Sequence, residues 1–152
     1  MIFEDSLIPW IGKTGKMLGF IMNKTFKDEN INLTREQFIV LKLLAIDDGK
    51  PQHDLAFITE RNKTSLSRLI SNMEKNNLIY RTSTKKDKRI KKVSITPFGK
   101  EIAAIATPIV KKAIETFQEG ISEAEIQHAI TTIKKIQHNI SKVHSFKLCD
   151  KL

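Results

Sequence analysis

Two groups of side chains in this 152-residue chain have the types and spacing to do chemistry, and that chemistry is hydrogen bonding and charge pairing with a polyanion. The first is Lys63-Thr64-Ser65-Leu66-Ser67-Arg68, where cations and hydroxyls crowd the start of a helical pattern. The second lies between Arg81 and Lys92. There Arg81, Lys85, Lys86, Lys88, Arg89, Lys91 and Lys92 oppose a single anion, Asp87, for a net charge of +6. A hairpin tip that basic attracts phosphate. An isolated basic run is often only a solvated loop, so its neighbours decide its meaning. No Ser/His/Asp, Cys/His, paired-carboxylate or glycine-rich phosphate-cradling arrangement occurs at interpretable spacing, and an enzyme is not expected.

The distribution of charge sharpens this. From Lys50 to Lys100 there are 13 Lys and Arg against 4 Asp and Glu, a net of +9 that equals the net charge of the whole chain. The remainder carries 13 of each sign and is neutral. Dispersed charge would serve solubility, so a concentrated basic segment implies a partner. The length fits one domain that buries roughly two-thirds of its unfolded surface without a disulfide or metal. The one cysteine, Cys149, can form no internal disulfide, which fits a reducing compartment, so a cytoplasmic protein is expected. Met1-Ile2-Phe3-Glu4-Asp5 lacks the cationic start of a secretory signal. The most apolar stretch, Phe38 to Ile46, is short and interrupted by Lys42, so no membrane partner is expected. His53, His128, His138 and His144 show no i, i+4 pairing, and neither a metal nor another cofactor is expected.

The elements that must position these groups follow from periodicity and capping. Leu7, Ile11, Thr14, Leu18, Ile21 and Phe26 recur at helical spacing, with Trp10, Met17 and Met22 widening the stripe, which predicts a first helix from about Ser6 to Lys27. Thr34 with Gln37 forms a capping box for a second helix that Asp47-Asp48-Gly49 stops. Pro51 suits the first turn of a short third helix with Leu55, Ala56 and Ile58. Asn62 can cap a fourth, whose apolar face is Leu66, Leu69, Ile70 and Met73 and which Asn76-Asn77 ends. Leu78 to Thr82 and Lys92 to Thr96 read as the strands of a hairpin. Thr96-Pro97 opens a fifth helix striped by Ile102, Ile105, Ile109, Ala113 and Phe117, and Pro108 should kink it. Ser122 with Glu125 opens a sixth, with Ile126, Ile130, Ile133, Ile140 and Val143.

Residues from about 35 to 96 thus make a helix-turn-helix followed by a hairpin, which is the winged-helix arrangement. That arrangement places the fourth helix in a major groove and the hairpin along the backbone or in a minor groove. The residues that carry the pattern resemble the MarR family of bacterial transcriptional regulators. The resemblance runs from Leu33-Thr34 and Gln37-Phe38 through Leu55-Ala56, Lys63 to Leu69, Met73-Glu74-Lys75, Leu78-Ile79 and Arg81. It continues through Asp87-Lys88-Arg89 to Ile95-Thr96-Pro97-Phe98-Gly99. It departs at Asn77, where the family commonly has Gly, and at Thr59-Glu60-Arg61 in the turn before the fourth helix.

The resemblance implies a mainly α fold with a small β-hairpin: one domain over residues 1–152. Its winged-helix part spans about 30–98, and dimerisation helices occupy about 1–29 and 99–147. It implies a homodimer on a palindromic operator in double-stranded DNA. Lys63, Thr64, Ser65, Ser67 and Arg68 would lie on the recognition helix, with Arg61 before it. Arg89 resembles the wing arginine of the minor groove and Asp87 the acid that orients it, while Lys85, Lys86, Lys88, Lys91 and Lys92 would attract phosphate. Many members answer a small-molecule effector, and Trp10, Met17 and Phe20 could line an apolar crevice or belong to the core. Sensing through a first-helix cysteine is excluded, and a redox role for Cys149 has only Lys147 and Lys151 beside it. The competing reading is a winged-helix module for protein or RNA contact without an operator.

Overall fold

Short polar side chains start the helices where the sequence places them. In a computed structural model, which describes residues 5–58, 63–83 and 91–143, Ser6 Oγ accepts the Ile8 N–H at 3.3 Å and opens α1 (Leu7–Asp28). Both halves of the Thr34–Gln37 capping box form at the start of α2 (Arg35–Ile46). Thr34 Oγ1 accepts the Gln37 N–H at 3.2 Å and Gln37 Oε1 accepts the Thr34 N–H at 2.9 Å. After α3 (Gln52–Ile58) and α4 (Lys63–Lys75), Asn77 takes φ 58°, the left-handed conformation that Asn tolerates in place of Gly. The expected cap Asn62 and the side chains of Ala56 and Ile58 lie outside the described residues.

The wing strands β2 (Ile79–Ser83) and β3 (Lys91–Ile95) pair antiparallel from Ile79↔Ile95 to Ser83↔Lys91, each one residue from its expected span. A short strand before them was not expected. Lys50–Pro51 forms β1 and pairs with β3 in the order β1-β3-β2, so Pro51 ends an edge strand opposite Lys92 instead of entering α3. Two residues are too few to show a period of two, and Pro at an edge loses no ladder bond that the sheet needs.

Thr96 closes the wing. Its Oγ1 accepts the Gly99 N–H at 2.9 Å to cap α5 (Pro97–Phe117) and donates to the Asn77 carbonyl at 2.6 Å. Thr96, Pro97 and Gly99 therefore form one joint between wing and helix. The core beneath it includes Phe26, Leu41, Leu44, Leu66, Ile70 and Val93.

The terminal helices leave much of their expected apolar stripes outside the core. α5 buries Gly99, Ala103 and Ala106 against the core, while Ile105 of the expected stripe is 55% exposed. Small residues let the backbone approach closely, Ile102 and Val110 pack partly against the same core, and Ile105, Ile114 and Phe117 face outward. α5 continues as one helix across Pro108. α6 (Glu123–Val143) opens with the expected Ser122–Glu125 box: the Glu125 N–H donates to Ser122 Oγ at 3.3 Å, while the Ser122 hydroxyl and N–H donate to Glu125 Oε2 at 2.6 and 2.9 Å and hold the carboxyl below its ordinary pKa. Yet α6 buries none of its residues. Trp10, Met17 and Phe20 on α1 are also exposed and belong to no core. Among the described residues no helix is long and apolar enough to cross a membrane.

Candidate nucleic-acid interface

α4 is amphipathic in the way the sequence predicts. Leu66, Ile70 and Met73 are buried and Leu69 packs partly against the same core, which turns the opposite side of the helix outward. Thr64, Arg68, Ser71 and Lys75, at spacings of four, three and four, share that exposed side. Lys63 is exposed beside them, while Ser65 and Ser67 are half-buried on the flanks. The structure thus brings Lys63, Thr64 and Arg68 to one open surface, with the two serines nearer the body. Ser71 and Lys75 complete the surface and are not among the residues expected to bind DNA, although the i, i+4 and i+7 steps from Thr64 were there to be read.

Lys63, Arg68, Lys75 and Lys92 make no ion pair with a described residue and remain exposed. Such cations can attract phosphate without first losing a protein partner. Arg61, Lys85, Lys86, Asp87, Lys88 and Arg89 lie outside the described residues; the paired ends of β2 and β3, Ser83 and Lys91, are the described residues that flank the wing tip.

Arg81 differs from the other wing cations. Its Nε and Nη2 donate to Glu74 Oε2 at 3.0 and 2.5 Å, its main-chain N–H donates to Glu74 Oε1 at 3.1 Å, and Nη2 also reaches Ser71 Oγ at 3.4 Å. The positive charge counted toward the basic segment is here paired with α4. Charge counting could not show this, because the partner stands seven residues earlier on another element.

The guanidinium hydrogen bond holds the Glu74 carboxyl below its ordinary value of 4.5, outweighing the opposing effect of burial, with a smaller contribution from Lys91. A lowered folded pKa means that the tie stabilises the protein above 4.5 and is lost as pH falls through the folded value. In urea unfolding, the stability gap between wild type and Glu74→Gln should hold steady above pH 4.5 and narrow below it. A gap that widened on acidification would contradict this pairing.

The opposite edge of α4 is tied to α2. Gln37 is buried, and its Nε2 donates to Asn72 Oδ1 at 2.8 Å while its Oε1 completes the α2 cap. Asn76 Nδ2 donates to the same Asn72 oxygen at 3.2 Å. α4 is therefore held on one side by α2 and on the other by β2.

The comparisons with known proteins agree with this geometry. A sequence profile of the MarR family matches residues 31–90. The HTH-type transcriptional regulator YybA of Bacillus subtilis is 26% identical over 138 residues, 91% of each chain. A MarR family transcriptional regulator of Listeria monocytogenes, crystallised with a 26mer DNA, is 30% identical over 91% of each chain, with a TM-score of 0.80. The chain belongs to the MarR family. Staphylococcus aureus MepR, solved as a DNA complex, is 26% identical over 84% of this chain and 96% of its own, with a TM-score of 0.72. This MarR-family protein is a winged-helix, DNA-binding transcriptional regulator and not an enzyme. Its half-buried Arg81–Glu74 pair joins β2 to α4, and its open Thr64–Lys75 surface lies on α4.

Proposed function

We propose that this MarR-family regulator binds a palindromic operator as a homodimer, reading it with α4 in the major groove and with Arg89 of the wing in the minor groove. The observation that carries the reading is the open face of Thr64, Arg68, Ser71 and Lys75, whose cations pair with no described residue and whose helix is tied along both edges by neighbouring elements. Lys63 and the hydroxyls can bond phosphate or base edges, and Arg68 has the fork that guanine accepts. Lys85, Lys86, Lys88 and Arg61 supply phosphate attraction, and Asp87 orients Arg89.

The homodimer is supported by what the chain leaves uncovered. A 21-residue helix with no buried residue, carrying exposed Ile130, Ile133, Ile140 and Val143, needs another apolar surface to cover it. Exposed Leu7 and Ile105 extend the apolar surface onto α1 and α5. A second copy presents the same faces, and two-fold symmetry would set two α4 helices roughly 34 Å apart, one turn of DNA. Response to a small-molecule effector belongs to the same reading.

Alanine variants test the assignments. Arg68→Ala should weaken operator binding by about 1–3 kcal/mol and relax the preference at particular base pairs. A uniform loss on every duplex would make Arg68 a phosphate contact instead. Arg89→Ala should cost a similar amount, roughly 1–3 kcal/mol, while sedimentation still gives a dimer. Unchanged affinity would remove Arg89 from the interface, and a monomeric wild-type protein would refute the dimer.

A further inference from the structure

We propose that Glu74 and Arg81 are positioning residues: a clamp that fixes the wing relative to the recognition helix and thereby sets discrimination between operator and other duplexes. The proposal rests on the operator reading above and adds to it a pair that touches no DNA.

The pair ties the main chain of β2 as well as the side chain of Arg81 to α4. One carboxylate receives three donors from one residue: the main-chain N–H on Oε1, and both Nε and Nη2 on Oε2. The main-chain bond fixes where β2 passes α4, and the side-chain fork fixes the orientation in which it does so. Both partners are half-buried, so water competes less than it does on an open surface. The clamp adjoins the proposed reading surface, because Nη2 also reaches the hydroxyl of Ser71, which shares the face of Arg68.

From Arg81 the strand continues to Ser83, paired with Lys91, before the tip that carries Arg89. Two residues of strand span roughly 7 Å, so an angular error at Arg81 grows toward the tip. Major-groove and wing contacts are made together only when their separation matches the duplex. Looseness between α4 and β2 therefore removes the specific contacts, while attraction of lysines to phosphate tolerates it.

A Lys at position 81 would keep the charge and lose the fork, which makes Arg81→Lys the informative variant. The full chain, with Glu74→Gln, Arg81→Lys, Arg81→Gln and the Gln double variant, is titrated on an operator duplex selected from genomic fragments and on a scrambled duplex. The salt concentration is varied, and circular dichroism confirms each fold. Arg81→Lys should lower the operator-to-scrambled affinity ratio about tenfold, the size of a 1.4 kcal/mol change. Arg81→Gln should leave the salt slope of operator binding unchanged, and the double variant should be no worse than the poorer single.

A ratio unaltered in Arg81→Lys overturns the clamp, as do additive losses in the double variant. A salt slope reduced by roughly 0.9 per site in Arg81→Gln also overturns it, since that marks a phosphate contact. If wild type shows no preference for any duplex, the operator reading fails and the clamp with it. Wild-type preference that survives in the variants defeats the clamp alone.

Discussion

Phe26→Ala should destabilise the protein by about 3–5 kcal/mol, a large share of the roughly 5–15 kcal/mol that holds a domain together. Phe26 is wholly buried near the end of α1, where its ring meets Phe38 of α2 at a centroid distance of 5.9 Å and an angle of 50°. Its carbonyl also accepts the Ile31 N–H at 2.8 Å, which turns the chain toward α2. Most of α1 is exposed, and Met22 and Phe26 are its buried residues. Asn23 adds one polar tie, accepting the Arg35 N–H at 2.7 Å. Removing the ring therefore leaves a cavity and loosens the junction between α1 and the winged helix together. Urea denaturation monitored by circular dichroism measures the effect. A loss below about 1 kcal/mol would mean that the site collapses around the smaller side chain and that α1 does not depend on this anchor.

Gly99→Ala should also destabilise, by about 3 kcal/mol, although Ala favours a helix over Gly by up to about 1 kcal/mol. A Cβ at this position would collide with the Leu78 carbonyl oxygen and stand 3.0 Å from Ile95 Cγ1. The first obstacle is backbone and cannot rotate away. Nor can the helix shift freely, because Thr96 Oγ1 holds both the Gly99 N–H and the Asn77 carbonyl, and the Thr96 N–H donates to Leu78 at 3.1 Å. The glycine is needed for close approach between α5 and the base of the wing. A lowered melting temperature with weaker operator binding is the expected result. A melting temperature equal to or above that of wild type would show that the joint can open without cost.

Much of the fold was legible because its signals are local. Thr34 and Gln37 stand three residues apart, as do Ser122 and Glu125, and both pairs form the boxes that their spacing predicts. Leu66, Ile70 and Met73 show the buried face of α4 by period alone, and that fixes the side on which Arg68 must stand. Interactions between distant elements were not legible. Gln37 reads as a cap, yet its other amide atom reaches Asn72, 35 residues on. Arg81 reads as one more wing cation until its bonds to Glu74 are seen. In α5 the expected stripe divides: Ile102 and Ala113 pack partly against the core beside buried Gly99, Ala103 and Ala106, while Ile105 and Phe117 lie outside it. Periodicity shows that a helix has an apolar side but not whether its own chain or another covers it.

The central claim is that this regulator reads one duplex sequence through a charged, two-fold surface. Its most direct test is a titration of the full chain on a palindromic fragment selected from the source genome, against a scrambled duplex of equal length, across a range of salt. Two subunits should bind the palindrome tightly, with a preference for it over the scrambled duplex of roughly a thousandfold or more and a steep loss of both affinities as salt rises. Equal affinity for the two duplexes at every salt concentration would contradict it.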